Sequence, residues 1–296
     1  MEIQTDIMGI PEISKTKPQS LVQRRFRSVF RNPMAVAGLV IIAVWLLLAV
    51  FAPLIATTDP LKQDLAIRLL PPSSQNWFGT DELGRDEFSR VIYGARISFP
   101  VGLIVIAFST IVGSLIGASA GFIGGIYDLV IMRFADITLA FPPIVLALAI
   151  AAVLGPSLLN ALIAIVIVWW PEFSRLMRGQ VLSVKNNDYV DAAVLIGATR
   201  SRVLFTHILP NCFAPILVKA SLDAGSVILT IAAMSFIGLG VVPPTPEWGS
   251  MISQGRFLFY NWWLTTFPGL AILTVVLAFN FFGDGVRDAF DPRMLD

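Results

Sequence analysis

The sequence has few charged residues: Asp, Glu, Lys and Arg make up 14% of the chain, whereas soluble domains average about 25%. The deficit is concentrated in charge-free runs at residues 32–58, 97–127, 137–171, 224–246 and 257–283. A helix needs about 20 apolar residues to cross the bilayer core, and each of these runs is longer. A helix of a soluble core would carry charge every few residues on its wet face. The pattern therefore predicts an all-α, multi-pass membrane protein.

Cysteine and histidine are almost absent, with one residue of each, Cys212 and His207. A single cysteine excludes an intramolecular disulfide, and a histidine without nearby cysteines or clustered carboxylates does not make a metal site. The net charge of +1 gives no indication of nucleic-acid binding. The chain contains no phosphate-binding Gly-x-x-x-x-Gly-Lys-Ser/Thr motif, so it cannot bind ATP by that route. Because no nucleophile, base and orienting group stand out, we expect neither a catalytic site nor a cofactor.

Six transmembrane helices fit the apolar runs. We predict them at residues 34–56, 97–121, 129–154, 158–177, 213–239 and 263–282. The run 137–171 is too long for one span, and Gly155, Pro156 and Ser157 divide it. The first run follows a long polar N-terminal segment and exceeds the apolar part of a signal peptide, so we interpret it as a retained span.

The distribution of Lys and Arg predicts the orientation. Fourteen Lys and Arg residues lie on one predicted side, in the N-terminal segment, at 175–202 and at positions 133, 287 and 293, against six within 57–96 and 240–262. Because Lys and Arg are retained on the cytoplasmic side, we expect both termini and the 179–212 loop to be cytoplasmic. The predicted organisation is a cytoplasmic tail (1–33), a first span (34–56), a periplasmic loop (57–96), a five-helix transmembrane domain (97–288) and a cytoplasmic tail (289–296).

Glycines recur every four residues in the second predicted span, at Gly113, Gly117 and Gly121. This spacing places them along one face of a helix, where a neighbouring backbone can approach closely. The simplest interpretation is tight packing inside the bundle.

The predicted cytoplasmic loop 179–212 has the pattern of a short helical hairpin. Asp188 is a candidate N-cap with Asp191 three residues later, which resembles a capping box. Gly197 can end this first helix with a positive φ, and Thr199 is a candidate cap for a second short helix. Pro210 is expected to close that second helix before the fifth span.

The hairpin has two interpretations, which differ in what its apolar side covers. It could lie on the lipid surface as an amphipathic element. Its central apolar residues, Ala192 and Ala193, are small. Small side chains let another protein approach closely, so we favour a protein partner.

This loop resembles the conserved loop of ATP-binding-cassette (ABC) importer permeases. That pattern is Glu-Ala-Ala, three residues, Gly, nine residues, then Ile-x-Leu-Pro. Here Asp191-Ala192-Ala193, Gly197 and His207-Ile208-Leu209-Pro210 keep the spacing, with Asp191 in place of Glu and His207 in place of Ile. The resemblance implies a type I importer permease fold. It also implies that Asp191, Ala192, Ala193, Gly197, His207, Leu209 and Pro210 form the coupling site for an ATPase subunit.

Other segments resemble the dipeptide, oligopeptide and nickel branch of these permeases. They are residues 78–86 (FGTDELGRD), 243–249 (PPTPEWG), 283–288 (GDGVRD) and 131–133 (IMR) with Asp136. The chain is most similar to the second permease subunit of dipeptide systems, and residues 69–73 (LLPPS) resemble the D,D-dipeptide branch.

The resemblance implies a set of partners in the bacterial inner membrane. They are a homologous permease that completes a heterodimer, two ATPases that hold the ATP and Mg, and a periplasmic substrate-binding protein. We expect the binding protein to dock on the outer loops, at Asp81, Glu82, Glu247 and Trp248. We expect the solute to be a di- or oligopeptide or a similar small molecule.

Two charged residues, Lys219 and Asp223, lie within the fifth predicted span and are four positions apart, so they can meet on one helix face. They are interpreted either as a self-neutralising pair or as part of the translocation path, where Asp223 would meet a substrate amine. Arg133 and Asp136 are expected to form a structural pair. A secondary transporter is the main alternative, but we detect no internal repeat, and a membrane enzyme or scaffold is a further one.

Overall fold

The computed structural model describes residue 30 and residues 32–290. The regular secondary structure of this part of the chain is helical, apart from one isolated bridge between Thr80 and Asp86. Over these residues five helices are long and apolar enough to cross a bilayer, and a bent pair of helices supplies a sixth span. The predicted all-α membrane fold is confirmed. The predicted tails, 1–33 and 289–296, lie almost entirely outside the described residues.

The helices of the described region carry the following bounds. In chain order they are α1 (Pro33–Val50), α2 (Ala52–Ile55), α3 (Glu87–Ile123), α4 (Gly125–Leu139), α5 (Pro143–Leu154), α6 (Leu158–Lys185), α7 (Asp188–Leu195), α8 (Arg200–Arg202), α9 (Leu209–Ile237), α10 (Trp248–Gly255) and α11 (Trp263–Phe290). A π-helical turn, Val203–Ile208, joins α8 to α9, and a 3-10 turn lies at Leu65–Ile67.

The core of the bundle is formed by α3, α6, α9 and α11, and α1 packs on its periphery. Phe99, Phe173, Ile228 and Val275, one from each core helix, are 2% exposed or less. The hydrophobic part of α1 is only 17% buried. This first span is held against α11 through Gly38, where an added methyl group would lie 2.5 Å from the carbonyl oxygen of Ala278.

The glycine stripe of α3 packs against α6, as predicted. An added methyl group would lie 2.4 Å from the carbonyl oxygen of Trp170 at Gly113 and 2.1 Å from that of Ser174 at Gly117. At Gly121 it would lie 3.1 Å from the carbonyl oxygen of Arg178. Because these glycines have no side chains, the backbones of α3 and α6 come into direct contact.

The third predicted span is not one helix. It is divided into α4 and α5, which meet at an angle of 93°. Pro142 and Pro143 follow each other at the bend, and the ring of each removes a donor and disfavours a helical residue before it. The prediction of a continuous helix over 129–154 is therefore wrong.

The loop predicted at 57–96 is shorter than expected because α3 begins at Glu87 rather than near residue 97. Asp86 caps this helix, since its carboxylate accepts a hydrogen bond from the Ser89 amide at 2.9 Å. At 37 residues, α3 is about 56 Å long, far more than the roughly 30 Å of the hydrocarbon core. Its first turns therefore form part of a folded cap with residues 57–86 and α10.

The second half of the hairpin predicted within 179–212 also differs from the prediction. Arg200–Ile237 forms one continuous helical span of 38 residues, so Pro210 does not close a separate helix. Pro210 lies in the first turn of α9, and the π-helical turn before it changes the hydrogen-bond register where the proline lacks an amide hydrogen.

Candidate functional sites on the helix bundle

The first candidate site is α7 with the turn that follows it. Gly197 has φ of +88°, and the Gly197 and Ala198 amides donate to the carbonyls of Val194 and Ala193, both at 3.0 Å. These two bonds form a Schellman motif, which requires the positive φ that glycine adopts without strain. The helix starts one residue earlier than predicted, because its N-cap is Asn187 and Asp188 is its first residue.

The outward side of α7 is more apolar than the sequence interpretation suggested. Ala193 is only 5% exposed because it packs inward, whereas Leu195 and Ile196 are each 86% exposed. Asp191 and Ala192 are exposed on the same helix. The hairpin therefore presents a small face with the Asp191 carboxylate and a bulky apolar end formed by Leu195 and Ile196. The motif comparison did not identify these last two as surface residues.

His207 connects the hairpin to the start of α9 through its backbone. The carbonyl oxygen of His207 accepts from the Asn211 side chain at 2.8 Å and from the Tyr189 hydroxyl at 3.3 Å. Leu209 is partly buried, and Pro210 is exposed at the surface. Since Tyr189 belongs to α7, these contacts fix the position of α7 relative to the long helical span.

The second candidate site is a charge cluster near the middle of α6 and α9. Lys219 Nζ lies 2.6 Å from Glu172 Oε2 and 2.8 Å from Asp223 Oδ2. The predicted Lys219–Asp223 pair is present, and Glu172 is a third member that the sequence interpretation missed. Glu172 could have been identified from its position, because it directly follows the charge-free run 137–171 and lies inside the predicted fourth span.

Two further ion pairs join α6 to α4. Arg175 Nη2 lies 3.3 Å from Asp136 Oδ1, and Arg178 Nε lies 2.5 Å from Asp128 Oδ1. The predicted pairing of Arg133 with Asp136 is therefore wrong. Residues 133 and 136 are close in sequence, but the side chain of Asp136 reaches across to the neighbouring helix.

The third candidate site is the cap at the opposite end of the bundle. Asp81 is 5% exposed; its carboxylate pairs with Arg85 Nε at 2.6 Å and lies 3.6 Å from Arg90 Nε. Arg85 Nη2 donates to Gln254 Oε1 at 3.0 Å. Asp81 thus holds residues 57–86 against α10.

Glu247 and Trp248 are also internal parts of the cap, with exposures of 1% and 0%. Glu247 caps α10 by accepting from the amides of Gly249 at 3.0 Å and Ser250 at 2.8 Å. Burial raises the pKa of Glu247 above its ordinary value, although the two amide hydrogen bonds act in the opposite direction. The Trp248 indole N–H donates to the Val91 carbonyl at 3.0 Å.

The predicted docking residues therefore divide into two groups. Asp81, Glu247 and Trp248 are buried inside the cap, so their side chains offer no surface to a docking protein. The structure gives these three residues a structural role in place of the predicted direct contact with the binding protein. Glu82 is exposed at the rim of the cap. Among the described residues there is no group of three or more His, Cys, Asp or Glu side chains that could hold a metal ion.

Comparisons with known proteins agree with this arrangement. Residues 113–296 match the family described as "Binding-protein-dependent transport system inner membrane component", and residues 20–72 match "N-terminal TM domain of oligopeptide transport permease C". The second match includes α1, and the first contains the C-terminal end of α3 and every later helix.

Three relatives align over nearly their whole length. The chain is 48% identical to the probable D,D-dipeptide transport system permease protein DdpC of Escherichia coli (strain K12), over 95% of this chain and 96% of that protein. It is 47% identical to the dipeptide transport system permease protein DppC of Alkalihalophilus pseudofirmus, over 91% of this chain and 89% of that protein. It is 41% identical to DppC of Haemophilus influenzae, over 94% and 96%.

These matches cover both the region with the coupling-loop motif and the region with the outer cap. They are to transport permeases rather than to ATPases or other enzymes, as the lack of a phosphate-binding motif predicted. The chain therefore belongs to the family of binding-protein-dependent inner membrane transport components, and it is a multi-pass permease subunit of an ABC importer.

Proposed function

We propose that this chain is one of two homologous permease subunits that together form the path for short peptides in a bacterial inner-membrane importer. The proposed substrate class is supported by one observation. Over at least 91% of its length, the chain is similar to permeases of dipeptide and D,D-dipeptide systems. The identities of 48% and 47% are nearly equal, so both D,D-dipeptides and ordinary dipeptides belong to the proposed substrate class.

The hairpin is proposed to be the seat of an ATPase subunit. Its support is the exposed face of Asp191 and Ala192, followed by the apolar end of Leu195 and Ile196. An apolar patch at the end of a rigid helix is suited to a groove in another protein. Gly197 and the carbonyl of His207 keep this face at a fixed orientation to the span that begins at Arg200.

The proposed cycle is alternating access between two states of the heterodimer. Two ATPases would bind ATP and Mg, close on each other and move the hairpins of both permeases. The path would then open toward the periplasmic binding protein, and hydrolysis would restore the inward-facing state. ATP can drive this change only by binding the two states with different affinities. Both termini and the hairpin are cytoplasmic in this scheme, and Lys219 and Asp223 lie beside the path.

The test is uptake by the whole assembly. This permease would be produced with its second permease, ATPases and binding protein, and reconstituted in vesicles. We expect ATP-dependent accumulation of labelled L-Ala-L-Ala or D-Ala-D-Ala, and loss of accumulation when this chain is left out. An assembly that accumulates neither peptide while accumulating a nickel chelate or another small solute would overturn the proposed substrate class.

A further inference from the structure

Charged side chains lie on the surface of this subunit within helices that are long and apolar enough to cross a membrane. The exposed fractions of the side chains are 39% for Glu172, 25% for Lys219 and 20% for Asp223. The adjacent ion pair is more open, at 44% for Asp136 and 56% for Arg175. Charges at membrane depth are costly in lipid and face protein or water instead. The surface of these five residues, here called the charge belt, therefore does not face lipid.

An independent feature marks the same surface. The break between α4 and α5 has 15 helical residues before it and 12 after it, so it lies in the interior of the candidate span that the two helices form together. Phe141, Pro142 and Pro143 at the break are exposed. Irregular backbone at membrane depth is tolerated only against protein or a water-filled cavity. Asp136, one turn before the break, is the α4 member of the charge belt, so the two features are contiguous.

The surface is concave where it meets α9 and α11. A cavity of about 540 Å³ is lined by Val218, Lys219, Leu222 and Asp223 of α9 and by Arg287 of α11, among others. Both signs of charge thus border one space. A dry contact with another protein would require each of these charges to be desolvated and matched, which is costly. A water-filled space has no such requirement.

Resting on the function proposed above, we infer that this surface is the aqueous wall of the translocation path and that it offers both signs of charge to the two ends of a zwitterionic solute. Carboxylates of the belt face the ammonium end, and Lys219, Arg175 and Arg287 face the carboxylate end. The remaining apolar surface of α9, exemplified by Leu217 at 53% exposed, is assigned to lipid.

Thiol labelling in membranes tests the wall without depending on transport. The background is Cys212→Ser, because Cys212 is the chain's single cysteine. Val218→Cys places a probe in the cavity and leaves the charge belt intact. Leu217→Cys, its neighbour at the same depth, is the matched control. We expect charged methanethiosulfonate reagents to modify position 218 in at least one of the ATP-bound and ATP-free states, and position 217 at least tenfold more slowly in both.

The charges of the wall are tested by comparing a cationic trimethylammonium reagent with an anionic sulfonate reagent at position 218. Glu172→Gln should lower the cationic-to-anionic rate ratio by roughly two- to fivefold, because a nearby negative charge attracts one reagent and repels the other. Glu82→Gln, on the distant cap, should leave the ratio unchanged.

Three results would overturn the inference: no modification at position 218 in either state, equal rates at 217 and 218, or a ratio that Glu172→Gln does not change. Co-purification of the ATPases with each variant confirms that the assembly has folded. Failure of the unmodified complex to accumulate peptides would count against the proposed function alone, because labelling reports water and charge whatever the solute.

Discussion

At the scale of single residues, Gly117 determines how closely α3 and α6 pack. An added methyl group would lie 2.1 Å from the Ser174 carbonyl oxygen, so Gly117→Ala forces the helices apart. We expect a loss of about 1–3 kcal/mol in the free energy of unfolding, measured as a lower midpoint of thermal unfolding in detergent. Gly179→Ala, on α6 with nothing within 4 Å of the added atom, should match or exceed the wild-type midpoint. Equal midpoints for the two variants would contradict this packing.

Glu247 gives a prediction about pH. Its pKa in the folded protein is raised above 4.5, its ordinary value, chiefly by burial. An acid with a raised folded pKa releases its proton more readily when unfolded, so its contribution to stability falls as the pH rises from 4.5 toward the folded pKa. Glu247→Gln removes this dependence. We therefore expect the thermal unfolding midpoint of the wild type to fall relative to that of the variant as the pH rises over this range. A difference that stays constant with pH would contradict the raised pKa.

Asp81, Glu247 and Trp248 were expected at a docking surface because they belong to the only sizeable loops on the predicted outer side. For the two carboxylates, the local hydrogen bonds explain the difference. Each is instead satisfied by donors that are close in sequence, such as the amides of Arg85 and Ser250. Neither the capping of α10 nor the pairing of residue 85 with α10 can be derived from spacing alone. The burial of Asp81 and Glu247 depends on how two loops that are distant in sequence fold together.

At the scale of elements, the turn after α7 can be tested with a matched pair of variants. Gly197 and Gly238 have φ of +88° and +94°, and a Cβ at either would meet nothing within 4 Å. Valine therefore introduces the same kind of backbone strain at both positions, of order 1–3 kcal/mol. If the hairpin is the ATPase seat, Gly197→Val should weaken ATPase co-purification and peptide uptake, while Gly238→Val should keep co-purification. Equal retention of the ATPases by both would contradict the coupling role.

Glycine predicted the end of α7, whereas charge located the spans without fixing their ends and proline did not mark the ends of helices. Pro100, Pro171, Pro215 and Pro268 lie inside long helices, whereas the pair at 142 and 143 accompanies a bend of 93°. Neighbouring helices can satisfy the carbonyl that one proline leaves free. Two consecutive prolines restrict the preceding backbone as well. Sequence patterns identify the breakers, but tertiary packing decides which of them ends a helix.

At the scale of the whole molecule, the orientation is the prediction that most needs a direct test. In a Cys212→Ser background, Ser73→Cys and Ser183→Cys place thiols at opposite ends of the bundle, both at exposed positions. We expect an impermeant thiol reagent to label position 73 in intact spheroplasts and position 183 only after lysis, because Lys and Arg favour the cytoplasmic side. The reverse pattern would invert the topology, and labelling of both before lysis would contradict it.

The number of spans and the location of the hairpin followed from the sequence, since charge-free length and motif spacing are local properties. The assembly of the cap did not, because it depends on contacts between residues as far apart as Arg85 and Gln254. The charge belt was predicted only in part. Lys219 and Asp223 are four apart and were paired correctly, but their third partner, Glu172, lies on another helix.

The unbroken helical span from Arg200 to Ile237 connects the two ends of the molecule mechanically. Its 38 residues form a lever about 57 Å long. Tilting a lever of that length by about 5° at the hairpin moves the far end by roughly 5 Å, close to the rise of one helical turn. That far end leads directly into residues 238–247 and the cap helix α10. A small tilt of the helix at the hairpin would therefore shift the cap by an amount comparable to the size of a side chain.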